Sequence, residues 1–93
     1  MDTSTSRSNI LNVLLAKARQ ASNAQQWLRA QRVLEQAIRI SPKNPLLFME
    51  YGNLYQLMGE QEKAKTMYER ALYLAADQAA LSAKLREKLE AKK

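Results

Sequence analysis

The side chains of this 93-residue chain that could do chemistry are its carboxylates and its basic groups, because it contains neither cysteine nor histidine. That removes thiolate nucleophiles, disulfide staples, and the commonest general base and metal ligand. Glu50, Glu60, Glu62 and Glu69 remain as acids, but they fall on expected exposed helix faces interleaved with lysines, the pattern of ordinary surface pairs. The sequence holds no glycine-rich phosphate loop, no metal-spaced ligand set and no nucleophile elbow. A non-enzymatic protein without cofactor or metal is therefore expected. Arg29, Arg32 and Arg39, at offsets of three and seven, share the outward face of one expected helix and could meet phosphates. A solvated helix surface explains them as well. The one aromatic near them, Trp27, is expected to pack at a turn, so no ladder is present to stack bases.

The elements that carry these residues are all expected to be helical. Alanine, leucine, glutamine and charged residues dominate, with two glycines and two prolines, which favours an all-α fold and no sheet. Residues 1–8 are polar and rich in serine and threonine, as in a flexible N-terminal arm. The apolar run Ile10 to Ala16 is too short to span a bilayer, contains Asn12 and lacks a preceding basic region, so it is expected to be a buried helical face and neither a signal peptide nor a membrane span. A cytoplasmic location is expected, or a periplasmic or exported one if a signal segment was removed.

The clearest pattern lies between Asn44 and Ala76. Leu47, Phe48, Tyr51, Gly52 and Tyr55 form one stripe at helical spacing, and Ala64, Met67, Tyr68, Ala71 and Leu72 form a second. Met58-Gly59-Glu60 separates them, with glycine suited to the left-handed conformation that ends a helix. Asn44 can cap the first helix and Pro45 can open it. Two helices joined by so short a break lie antiparallel and bury their stripes against each other. Gly52 and Ala64 keep those backbones close.

Counted from Pro45, Phe48, Tyr51, Gly52, Tyr55, Gly59, Ala64, Tyr68, Ala71 and Leu72 take a spacing that resembles the tetratricopeptide repeat, whose period is about 34 residues. One period earlier, Leu14, Ala18, Ala30, Leu34, Ala37 and Ile38 occupy matching positions, with Pro42 past the end of the second helix, so a weaker sister unit is expected. After the second unit, Leu81, Leu85 and Leu89 fall at a spacing of four on a further helix with Lys84, Glu87, Lys88 and Lys92 outside. The organisation expected is an arm over 1–8, two helical hairpins over 11–44 and 45–78, and a C-terminal capping helix over 79–93. The resemblance implies a right-handed α-α superhelix.

It also implies a function. In this family the first helices line a concave groove that binds an extended peptide or a partner helix. Leu15, Arg19 and Asn23 of the first unit and Leu46, Met49, Asn53 and Gln56 of the second match groove positions, with Arg19, Met49 and Asn53 the foremost contacts implied. A sub-type of the family clamps a C-terminal carboxylate with basic and Asn residues. Here Leu15 and Glu50 stand at clamp positions, so that ligand is not expected.

Charge supplies two further readings. Lys17, Arg19, Arg29, Arg32, Arg39 and Lys43 face a single acid, Glu35, within residues 11–44, whereas residues 45–78 are mildly acidic and the C-terminal tail is basic again. Phe48 and Tyr51 with the run Tyr68-Glu69-Arg70-Ala71-Leu72 also resemble the half-a-TPR repeats of RNA-processing assemblies, so an RNA-associated role using Arg29, Arg32 and Arg39 is the alternative. Self-association through Leu81, Leu85 and Leu89 is the other. A protein or peptide partner is the first expectation.

Overall fold

The computed structural model describes residues 3–90. Within them the chain forms five α-helices and no strand: α1 Thr3–Asn23, α2 Trp27–Ile40, α3 Pro45–Leu57, α4 Gln61–Leu74 and α5 Ala79–Glu90. The helices group into two compact units, one ending at Pro42 and the other starting at Lys43. Helix α1 begins at Thr3, six residues before Asn9, so the backbone from Thr3 to Ser8 is helical. No glycine or proline stands in that segment to stop the helix propagating backwards.

In the first unit, α1 and α2 are antiparallel partners. Leu11, Leu14, Leu15, Ala18 and Ala21 are buried on α1, and Ala30, Leu34 and Ala37 on α2. The alanines matter because a helix surface with only methyl groups lets its neighbour's backbone approach closely. Three hydrogen bonds close the turn between the helices. The Gln26 N–H donates to the Ala21 carbonyl at 2.8 Å, Gln25 to Ser22 at 3.0 Å and Ala24 to Gln20 at 3.0 Å. A six-to-one bond enclosing a five-to-two bond is the Schellman arrangement, which requires a left-handed residue just past the helix end. Gln25 occupies that position, with φ 62°.

The second unit repeats this pattern one period later. Glu60 donates to Tyr55 at 2.8 Å, Gly59 to Gln56 at 3.0 Å and Met58 to Leu54 at 3.0 Å, and the left-handed residue is Gly59, φ 78°. At its front the Asn44 side-chain oxygen accepts from the Leu46 N–H at 3.0 Å while Pro45 takes the first helical position. The core between α3, α4 and α5 contains Met49, Ala64, Tyr68, Ala71, Ala75 and Leu85, with Phe48, Tyr55, Leu72, Leu81 and Leu89 packed on it. Gly52 is needed here: a Cβ at that position would lie 2.6 Å from Tyr68 Cε1.

Helix α5 docks on α4. Leu85 is fully buried, and the Ser82 hydroxyl donates at 2.6 Å to the buried carbonyl of Ala75, the residue that caps α4. The stripe Leu81-Leu85-Leu89 is therefore spent inside its own unit. Leu85 is its fully buried member, while Leu81 and Leu89 are partly buried.

Candidate partner-binding surface

Burial sorts the seven expected groove residues into three groups. Met49 and Leu15 are buried, Met49 at 6% exposure among Tyr68, Ala71 and Leu85, so neither presents a surface to a partner. The correction for Met49 has a physical cause: α5 packs on the same core, and an unbranched thioether fills the space between them. Asn53 and Gln56 are half-buried on α3. The Asn53 oxygen is already engaged, accepting from the Tyr68 hydroxyl at 2.6 Å, so the NH2 group is the part of this side chain with both hydrogens left for a ligand. Arg19, Asn23 and Leu46 are exposed. Arg19 and Asn23 lie one turn apart on α1, and Leu46 stands in the first turn of α3.

Among the described residues Tyr68 is the titratable group with a large shift. Burial, aided by the negative charge of Glu50, pushes its phenol up to about 12 from an ordinary 10.0. It stays protonated and donates to Asn53, a structural role. Several cations of the second unit are drawn to aromatic faces: Lys63 lies 5.8 Å from the Tyr55 ring centre, Arg70 5.7 Å from Phe48 and Lys88 5.7 Å from Tyr68.

The first unit carries a surface that the sequence reading did not single out. Ile10 and Val13, expected within a buried face, are 48% and 52% exposed, while Leu11, Leu14 and Leu15 turn inward. A run of adjacent apolar residues on a helix cannot all face one way, and the two that lie off the inward stripe remain in solvent. Leu28 is 60% exposed on α2. These residues line two open depressions, one formed by Asn9, Ile10, Val13, Leu14 and Lys17, the other by Gln26, Leu28, Arg29, Arg32, Val33 and Gln36, about 560 Å³ in volume. A third, lined by Lys17, Gln20, Ala21, Ala24, Gln26 and Arg29, shares Lys17 with the first and Gln26 and Arg29 with the second.

Arg29, Arg32 and Arg39 are exposed as expected, and Arg29 and Arg32 line a depression with Leu28 and Val33. The signal that could have found this surface was the register itself. Val13 precedes the core-packed Leu81 by two periods, so its position is one that this chain packs against a neighbouring helix.

Among the described residues no group of three or more His, Cys, Asp or Glu side chains could hold a metal ion, and no helix is long and apolar enough to cross a membrane. A family model described as Tetratricopeptide repeat matches residues 21–89. No curated protein and no solved structure matches the chain.

Proposed function

The chain belongs to the tetratricopeptide repeat family, and from that membership we infer that it is a non-catalytic protein–protein interaction module that binds a peptide segment or partner helix on the surfaces of its first helices. What supports this reading is that Arg19 and Asn23 on α1 and Leu46 on α3, to which the resemblance assigns ligand-facing positions, are each solvent-exposed. A guanidinium and a carboxamide one turn apart suit a peptide backbone or carboxylate, and an exposed leucine suits an apolar anchor. Gln56 and the Asn53 NH2 group extend the set.

Affinity capture from the native host with the wild-type chain and with Arg19→Glu/Leu46→Glu tests it. Both residues are exposed, so the variant keeps its helical circular dichroism. Loss of a specifically retained protein in the variant is the expected result; unchanged retention would remove these positions from the contact surface.

A further inference from the structure

Deepening the interaction-module reading on which it rests, we propose that the first hairpin has a second docking surface, along α1 and α2, that receives an amphipathic helix with acidic residues flanking its apolar stripe. Four observations define the surface and its occupant.

Its shape comes first. Ile10, Val13, Lys17 and Gln20 follow one another along α1 at offsets of three and four, Arg29, Val33 and Gln36 do the same along α2, and Ala24 and Gln26 line the turn between them. The three depressions are neighbours along these stripes, because Lys17 lines two of them and Gln26 and Arg29 line two. From Ile10 to Gln20 the trough follows about 15 Å of α1, at about 1.5 Å per residue, enough for roughly three turns of a partner. Its apolar content comes second. Ile10, Val13 and Leu28 are each about half exposed or more, and Val33 is partly exposed beside them.

Charge comes third. The ionisable residues lining the trough are Lys17, Arg29 and Arg32, all basic; Glu35, also exposed on α2, lies outside the lining. An occupant that brings carboxylates beside its apolar residues is steered in and held, whereas a basic one is repelled.

The fourth observation is how this chain treats the same positions elsewhere. Two periods after Val13, Lys17 and Ala21 stand Leu81, Leu85 and Leu89 on α5, and that stripe packs against α4. A helix with this register therefore accepts another helix along it. In α1 the central position is Lys17 where α5 has the fully buried Leu85. A helix seated on α1 must place a carboxylate opposite that ammonium or leave it buried and uncompensated. The chain's own α4 already carries α5, so a second copy cannot offer it as the occupant.

The test uses the full chain and three labelled synthetic helices of about eighteen residues. One has leucines at offsets of three and four flanked by glutamates, one has lysines in place of the glutamates, and one has the acidic composition with its leucine spacing scrambled. Fluorescence anisotropy should show saturable binding of the acidic amphipathic helix alone, weakened at least about tenfold by Val13→Glu and by Arg29→Glu/Arg32→Glu. Amide chemical-shift changes should cluster in residues 10–36 on the trough side. Equal binding of the lysine or scrambled peptide, or no binding at all, would overturn the proposal. So would shift changes confined to Arg19, Asn23, Leu46 and Gln56, an outcome that leaves the interaction-module reading standing. Light scattering that shows a dimer abolished by Val13→Glu would overturn it in favour of an interface between copies.

Discussion

Gln25 and Gly59 stand one 34-residue period apart and adopt the same left-handed backbone, φ 62° and 78°, inside the same three-bond turn. The second hairpin fills the position with the residue that takes it at no steric cost; the first fills it with one that bears a Cβ. Gln25→Gly should therefore stabilise the chain by up to about 1 kcal/mol, relief of strain exceeding the added freedom of the unfolded chain. Gly59→Ala should cost about 1 kcal/mol, although no atom lies within 4 Å of the new methyl. Urea midpoints at constant m read both.

Gly52 and Tyr68 form a matched pair. A methyl on Gly52 would meet Tyr68 Cε1 at 2.6 Å and Cδ1 at 2.7 Å, so Gly52→Ala should cost about 1–3 kcal/mol in thermal unfolding. At the corresponding positions of the first hairpin the chain has Ala18 and Leu34. The double change Gly52→Ala/Tyr68→Leu should accordingly cost less than the sum of the single changes, a coupling that a double-mutant cycle measures.

Alkaline solution should weaken the second unit through Tyr68. Its folded phenol titrates at about 12 against 10.0 when free of the fold, so above pH 10 the unfolded chain releases this proton before the folded one does. Stability is fully present below pH 10 and falls as pH rises toward 12. Tyr68→Phe removes this contribution, so stability measured from pH 9 to 12 should decline less steeply in the variant. At neutral pH the same variant leaves the Asn53 oxygen without its 2.6 Å donor and should be less stable by about 1 kcal/mol.

Met49 and Leu46 should separate stability from binding. Met49→Ala opens a cavity beside Tyr68 and Leu85 and should cost about 2–5 kcal/mol, while Leu46→Ala, on the surface, should stay within about 0.5 kcal/mol. Partner affinity should show the reverse order once a partner is in hand, and calorimetry beside titration would reveal both.

The hairpins were legible because their signals are local. Asn44 and Pro45 start α3, Gly59 ends it, and the stripes through Tyr51 and Tyr68 set which faces meet. Gln25 was illegible as a left-handed residue, since nothing in its side chain prefers that conformation and only the surrounding hydrogen bonds impose it. Met49 illustrates the limit for the site. The resemblance implied a ligand-facing position for it, but Met49 is buried in one cluster with Leu85 of α5, and that is a tertiary event no helical period records. The exposure of Ile10 and Val13 escaped for the opposite reason. Their apolar character argued for burial, and exposure depends on what stands next to them in space.

The unequal turns also bear on the order of events when the chain folds. A hairpin closes only after its reversal forms, and a reversal centred on Gly59 is reached by ordinary thermal sampling, whereas one centred on Gln25 must first climb into a sparsely visited region of backbone space. The second hairpin should therefore act as the nucleus, with α1 and α2 condensing afterwards. Kinetic φ-values should be high for Ala64→Gly and low for its counterpart Ala30→Gly, and Gln25→Gly should level the two.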